Sequence, residues 1–187
     1  MKLNNKVKRV VGIGVFSAIV VVLQYIFGGI TIGGTSINPV LVPVVVGAAV
    51  YGWQAGAILG LVSGAAILLI TPPSFFYGIN FVGTIITVLA KGAVSGLVAG
   101  LAYKLIRPWN KFVAVLTAAI LCPLVNTGIF LAGCYIFFYE GLLSGAEGGN
   151  FFFYLITVMV GINIFVELGI NVVMAPVITR LIKIKQQ

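Results

Sequence analysis

Two ionisable side chains stand deep inside long apolar stretches of this sequence. Lys91 lies near the middle of one stretch, and Glu167 lies near the middle of another. A charged group far from water is costly to bury, so it usually pairs with an opposite charge or marks a binding site. Three interpretations of Lys91 follow. It forms an ion pair with Glu167, it neutralises an anionic ligand group, or its long alkyl chain lets the amine reach the water at the membrane interface.

Amide side chains extend this polar pattern. Asn163 and Asn171 lie four residues before and after Glu167, so a helix would present all three on one face. We expect such a polar face to line a cavity or to contact another helix. Asn126 follows Pro123, which frees a backbone carbonyl one turn earlier, and an amide at that place can bind a ligand or repair the helix.

A second set of polar residues lies near the ends of apolar stretches, close to breaks rich in glycine or proline. Together with loop residues they could cap a pocket at one end of a helical bundle. This set comprises Gln24, Asn38, Tyr77 and Asn80. The predicted ligand-binding residues are therefore Lys91, Asn126, Asn163, Glu167, Tyr77, Asn80 and Asn38.

The sequence contains no arrangement typical of an enzyme active site. It has no His, no Asp, no phosphate-binding glycine loop and no pair of carboxylates at short spacing. Cys122 and Cys134 share one apolar stretch without metal-ligand spacing, which indicates core residues. We expect neither catalytic residues nor a metal or cofactor.

The elements that position these residues must be membrane helices. Hydrophobic residues make up 61% of the chain and charged residues 7%, whereas a soluble protein carries about 25% charged residues. Between Arg9 and Lys91 there is no Asp, Glu, Lys or Arg. Because one span needs about 20 apolar residues, this uncharged run is long enough for three of them.

Glycine, proline and polar breaks divide the chain into six predicted spans that form a single domain, residues 1–187. The expected fold class is an all-α membrane protein, a bundle of six transmembrane helices. The predicted spans are residues 10–27, 39–51, 53–70, 77–105, 112–138 and 151–182.

Positive residues occur in three short clusters at the ends of apolar segments. With six spans, all three clusters face the cytoplasm, as the positive-inside rule requires, and so do both termini. The net charge of +8 is therefore better explained by contact with anionic lipid headgroups than by nucleic-acid binding. The clusters are Lys2, Lys6, Lys8 and Arg9; Lys104, Arg107 and Lys111; and Arg180, Lys183 and Lys185.

Glycines recur every fourth residue along two of the predicted spans, a pattern that lets helix backbones approach closely in lipid. We expect both repeats to serve packing inside the bundle. They are Gly52, Gly56, Gly60 and Gly64, and Gly92, Gly96 and Gly100. Gly14 and Ala18 form a shorter pair of small residues on the first span, which could face another protein instead.

Three segments resemble the substrate-binding S components of energy-coupling factor (ECF) vitamin transporters, an ABC-type importer family. Val42–Gly64 (VPVVVGAAVYGWQAGAILGLVSG) looks like their second and third helices, and Leu89–Tyr103 (LAKGAVSGLVAGLAY) like their fourth. Pro123–Gly133 (PLVNTGIFLAG) resembles the fifth helix in the pantothenate- and folate-like branch. The length of the chain, its six predicted spans and its cytoplasmic termini also agree with this family over the whole chain.

The resemblance implies a multi-pass protein of the bacterial cell membrane that binds one vitamin and hydrolyses no ATP itself. It also implies three partners, namely a transmembrane coupling subunit and two cytoplasmic ATPases. Small residues on the first helix would contact the coupling subunit, which suits Gly14 and Ala18. The loop between the first two spans would cover the pocket, which suits Gly33–Asn38.

The branch and the polar residues together favour pantothenate, a small anion with an amide and hydroxyls. Lys91 would meet its carboxylate, and Asn126 and Asn163 would meet its amide and hydroxyls. Folate, pyridoxine and riboflavin stay open as ligands. Two other classes also stay open: an independent secondary carrier, and a scaffold membrane protein whose polar residues only pair with each other.

Overall fold

The structure is a computed structural model that describes residues 5–28, 31–32, 35–36, 39–143, 153, 155–161 and 163–186. Helices dominate the described residues, which confirms the all-α fold class. In chain order the elements are α1 (Asn5–Phe27), β1 (Thr31–Ile32), β2 (Thr35–Ser36), α2 (Leu41–Tyr51), α3 (Trp53–Ile70), α4 (Ser74–Ile79), α5 (Phe81–Ile106), α6 (Lys111–Phe137), α7 (Tyr139–Leu143), a π-helical segment (Leu155–Val160) and α8 (Asn163–Gln186).

Four of the described helices are long and apolar enough to cross a membrane: α1 from Lys6 onward, α3, α5 and α6. The chain is therefore a multi-pass membrane protein. The count of six spans and the location of the termini stay predictions. A small antiparallel strand pair follows α1, with Thr31 opposite Ser36 and Ile32 opposite Thr35, where the sequence predicted a loop.

The helix α2 is short and lies inside the protein. It has 11 residues, about 16 Å at 1.5 Å per residue, whereas the hydrocarbon layer is about 30 Å thick. Most of its side chains are buried, among them Val44 and Val45. Pro43 is tolerated in its first turn, where the backbone N–H would have no partner within the helix.

The stretch 77–105, predicted as one helix, contains parts of two. Asn80 adopts an extended conformation, with φ of −153° and ψ of 100°, between α4 and α5. Its side chain caps α5, because the Gly83 N–H donates to Asn80 Oδ1 at 2.8 Å. The chain therefore turns at Asn80, and Tyr77 belongs to α4 instead of to α5.

The stretch 151–182 is likewise divided within its described residues, and its assignment as one membrane span stays a prediction. After the π-helical segment, Gly161 has a φ of +43°, and α8 then begins at Asn163. Glycine adopts this left-handed conformation readily, whereas a side chain there would be strained. Gly161 thus permits the break that precedes the helix carrying Glu167.

The glycine repeats of α3 and α5 pack directly against each other. A Cβ built at Gly60 would collide with the Gly92 carbonyl, and a Cβ at Gly56 would collide with the Gly96 carbonyl. Position numbers rise along α3 as they fall along α5, so the two helices are antiparallel. These contacts confirm the predicted packing role for the four glycines named here. They also fix the position of α5, the helix that carries Lys91.

Candidate functional site

Lys91 projects from α5 at about half the depth of the bundle. It lies about 15 Å from Phe81 along the helix axis. Its side chain is partly buried, and Nζ lies 5.2 Å from the centroid of the Phe130 ring on α6. The electron-rich face of an aromatic ring attracts an ammonium, by about 2 kcal/mol or more where water is excluded. The charge is therefore directed between α5 and α6.

Glu167, on α8, lies close to Lys91. Its side chain is buried, and its carboxylate is close enough to Lys91 to act electrostatically on the ammonium. One turn later, fully buried Asn171 donates a 2.9 Å hydrogen bond from Nδ2 to the Glu167 backbone oxygen. Within the described residues, Asn171 Oδ1 has no hydrogen-bond partner. Buried polar atoms normally have a partner, and the described residues provide none for this oxygen.

Asn126 approaches the site from α6. Its Nδ2 donates to the Lys91 backbone oxygen over 3.5 Å, at the long limit for a hydrogen bond. The amide therefore reaches across to α5 instead of to the carbonyl that Pro123 frees in its own helix. Among the predicted residues, the structure thus brings together Lys91, Asn126 and Glu167.

Tyr77 and Asn80 lie farther out. Asn80 precedes α5 and is about 16 Å from Lys91 along the helix axis. Its Oδ1 accepts the capping hydrogen bond described above, so its evident role is structural. The Tyr77 ring packs against Phe81, with centroids 5.0 Å apart. The structure does not bring these two side chains to Lys91.

Two of the predicted residues fall outside what the structure describes. Asn38 is not among the described residues, and Asn163 is described only as the first residue of α8, without its side chain. Their roles as ligand contacts stay predictions, as does the covering role of Gly33–Asn38.

The sequence interpretation missed an aromatic wall beside Lys91. Phe76 of α4 contacts the rings of Phe130 and Phe138, with centroids 5.5 and 5.0 Å apart. Phe130 thus contacts both the Lys91 ammonium and α4. One signal for it was present in the sequence, because Phe130 follows Asn126 by four residues and so shares its helix face.

Thr87 was also missed. It lies one turn before Lys91 on α5 and is buried, and within the described part of the chain its hydroxyl has no hydrogen-bond partner. A ligand hydroxyl or carbonyl could satisfy it. By contrast, Gln24 is engaged elsewhere, since its Nε2 donates to Thr71 Oγ1 at 2.8 Å and ties α1 to the end of α3.

The two cysteines are buried free thiols, which confirms their prediction as core residues. Within the described residues, no group of three or more His, Cys, Asp or Glu side chains is placed to hold a metal ion. The residues around Lys91 offer a cation, a carboxylate, amides and a hydroxyl against an aromatic wall. This set can recognise a small polar anion, and it contains no arranged nucleophile and base.

On the outer face of α1, Gly14 and Ala18 are exposed. A Cβ built at Gly14 would meet nothing within 4 Å, in contrast to the tightly packed glycines of α3 and α5. This part of α1 therefore has room to receive another helix.

Comparison with known proteins gives one result. Residues 8–179 match the family described as ECF transporter, substrate-specific component. No curated protein and no solved structure gives a significant match to the chain.

Proposed function

Because the chain belongs to the family of ECF transporter substrate-specific components, we propose that it captures a water-soluble vitamin for import and that this vitamin is pantothenate. Members of the family are transport subunits and not enzymes, and ATP hydrolysis lies with partner subunits. In this proposal Lys91, Asn126, Asn163 and Glu167 form the centre of the binding site, and Asn38, Tyr77 and Asn80 belong to its outer part.

The observation that carries the proposal is the Lys91 ammonium held over Phe130 at half-depth. A carboxylate ligand would form charge-assisted hydrogen bonds with it in a place from which water is largely excluded. The unpartnered Thr87 hydroxyl and Asn171 Oδ1 would then serve the ligand's hydroxyl and amide groups. Pantothenate combines one carboxylate with an amide and two hydroxyls, which suits this set of partners.

Nearby Glu167 sets a limit on the ligand. Its carboxylate offsets part of the Lys91 charge, so a ligand with a single negative charge suits the site better than one with several. Folate, pyridoxine and riboflavin are the alternative ligands that a binding experiment must separate from pantothenate.

We place the protein in the bacterial cell membrane as six spans with both termini in the cytoplasm. One contact supports this orientation: Arg9 Nη2 donates to Gln54 Oε1 at 2.8 Å, so the starts of α1 and α3 lie at the same end of the bundle. Lys104 and Arg107, at the end of antiparallel α5, belong to that end as well. Their shared position follows the positive-inside rule.

Import also requires a docking surface for the coupling subunit, which in turn works with two ATPase subunits. We assign this surface to the exposed face of α1 around Gly14 and Ala18. Small residues there would let a partner helix approach the α1 backbone closely, as helices do in lipid.

Replacing Gly14 with Leu is expected to separate binding from transport. The new side chain meets nothing within this chain, so vitamin binding by the purified protein should stay within about twofold of the unmodified protein. Uptake into vesicles that contain the coupling and ATPase subunits should be abolished, because the side chain fills the place of a partner helix. The assay measures ATP-dependent uptake of labelled pantothenate.

The matched control is Gly128→Leu on α6, another exposed glycine with open space around it. This variant should keep both binding and uptake. Full uptake by Gly14→Leu would show that α1 is not the docking face. Uptake by the chain alone, without ATP or partners, would favour an independent carrier over the proposed function.

A further inference from the structure

Glu167 is the single buried acidic side chain in the described part of the chain. It is 6% exposed, whereas Glu140 on α7 is an exposed residue. The Glu167 carboxylate acts electrostatically on the Lys91 ammonium, which lies 5.2 Å from the centroid of the Phe130 ring. Without a ligand, one negative and one positive charge therefore lie close together, and the site as a whole is neutral.

The ionisable groups that face this pair come from α5 and α6. Besides Lys91 itself they are two buried thiols, since Cys122 acts on Glu167 and Cys134 acts on Lys91. Thiols are largely uncharged at neutral pH, so neither one balances a charge. Helix α2 also packs against α8, and it contains no charged residue.

The other ionisable side chains of α2, α5, α6 and α8 lie toward the ends of these helices. Along α8, for example, Arg180 comes about 20 Å after Glu167. This set comprises Tyr51, Tyr103, Lys104, Lys111, Tyr135, Arg180, Lys183 and Lys185. In the described residues, the charge balance at half-depth thus depends on Lys91 and Glu167 alone.

A ligand carboxylate at Lys91 changes this balance. The ammonium would then be shared by two carboxylates, and the occupied site would carry one net negative charge in a place from which water is largely excluded. An unbalanced buried charge is costly. Two carboxylates that share one site do not both stay ionised at low cost, so one of them retains a proton. One proton taken from the solvent restores neutrality.

Asn171 favours Glu167 as the place of this proton. It follows Glu167 by one turn of α8, so the two side chains are neighbours on the helix surface. Asn171 is fully buried, its Nδ2 donates to the Glu167 backbone oxygen, and its Oδ1 has no hydrogen-bond partner within the described residues. A protonated carboxyl group has an O–H that such an oxygen can accept, whereas a carboxylate has only acceptors. An amide oxygen has two lone pairs, so it can still accept from a ligand as well.

We propose that capture of pantothenate takes up one proton from the solvent, which forms the O–H bond of a neutral Glu167 carboxyl group. The site thus captures the vitamin anion together with a proton. This proposal rests on the proposed function, because it requires an anionic ligand at Lys91. Since the complex holds one proton more than the free chain, binding tightens as the pH falls and weakens as the pH rises.

Isothermal titration calorimetry of the purified full-length chain measures the uptake directly. Titrations in buffers that differ in ionisation enthalpy give the number of protons taken up per ligand bound. We expect about one proton per pantothenate, and a dissociation constant that rises by up to about tenfold per pH unit from about pH 6 to about pH 8. The ligand itself stays ionised in this range, because the pKa of an ordinary carboxyl group is about 4. Pantothenol, in which an alcohol replaces the carboxylate, should bind without proton uptake.

The variant Glu167→Gln keeps the size of the side chain and a hydrogen-bond donor but cannot take up a proton. It should bind pantothenate without proton uptake, and its dissociation constant should stay constant over the same pH range. At about pH 8 it should bind pantothenate more tightly than the unmodified chain, because no second carboxylate competes for Lys91. The matched control Glu140→Gln removes an exposed carboxylate on α7 and should keep the proton uptake of the unmodified chain.

The outcomes separate this proposal from the proposed function. Pantothenate binding without proton uptake by the unmodified chain would overturn the proposal and leave the proposed function intact. Proton uptake that persists in Glu167→Gln would overturn the assignment to Glu167. No pantothenate binding at any pH would overturn the proposed function and this proposal with it. Pantothenol binding by Glu167→Gln shows that the variant is folded, and the proton count of the unmodified chain needs no variant at all.

Discussion

Replacing Lys91 with Met is expected to weaken pantothenate binding by about 10- to 150-fold. This range corresponds to the loss of about 1.5–3 kcal/mol that a hydrogen bond to a charged group contributes. Methionine keeps much of the length and apolar volume of the lysine side chain, so it can still pack against Phe130. The loss should therefore report on the ammonium and not on the packing of α5 against α6.

The informative comparison is with pantothenol, in which an alcohol replaces the carboxylate. If Lys91 neutralises the carboxylate, the variant should bind pantothenol nearly as well as the unmodified protein does, since pantothenol forms no ion pair with Lys91 that the substitution could remove. Lys111→Met, at the start of α6, removes a lysine outside the site and should leave both affinities unchanged. Equal losses for both ligands would assign Lys91 a structural role, as the ion-pair interpretation with Glu167 requires.

Replacing Gly60 with Ala is expected to destabilise the bundle. The added Cβ would collide with the backbone carbonyl of Gly92, which cannot move aside without separating α3 from α5. Overpacking of this kind costs about 1–3 kcal/mol and should outweigh the gain of about 0.5–1 kcal/mol that alanine brings to a helix interior. Thermal unfolding of the detergent-purified variant should show the loss, at roughly 2–4 °C of Tm per kcal/mol.

Gly128→Ala provides the matched control for that experiment. It makes the same chemical change within a long helix, but an added Cβ meets nothing within 4 Å. Its stability should be unchanged or slightly raised, because only the helix propensity differs. If Gly60→Ala were as stable as Gly128→Ala, the close approach of α3 and α5 would be wrong.

The sequence predicted well those features that depend on composition and short-range spacing. The uncharged run between Arg9 and Lys91 indicated membrane helices, and the four-residue glycine repeats indicated the contact of α3 with α5. The partners of Lys91 were only partly predictable. A tertiary contact such as Lys91 over Phe130 depends on how α5 and α6 are rotated about their axes, which spacing within one helix cannot fix.

The errors at helix ends have a different physical origin. Asn80 stands in an apolar stretch that favours a continuous helix, yet its amide caps α5 and starts a new one. Gly161 similarly interrupts the stretch before α8 by adopting a positive φ. Other glycines of the chain lie inside helices with ordinary helical φ values. Both residue types are compatible with a helix interior and with a break, so local pattern alone did not distinguish the two outcomes.

The most direct test of the proposed function is a thermal-shift screen of the purified chain against a panel of B vitamins. A ligand that binds only the folded state adds about 2.7 kcal/mol of stability at 100 times its dissociation constant. We predict a clear rise in Tm with pantothenate and none with folate, pyridoxine, riboflavin or thiamine. A rise with one of those instead would contradict the choice of pantothenate, and no rise with any vitamin would contradict the proposal that this chain captures one.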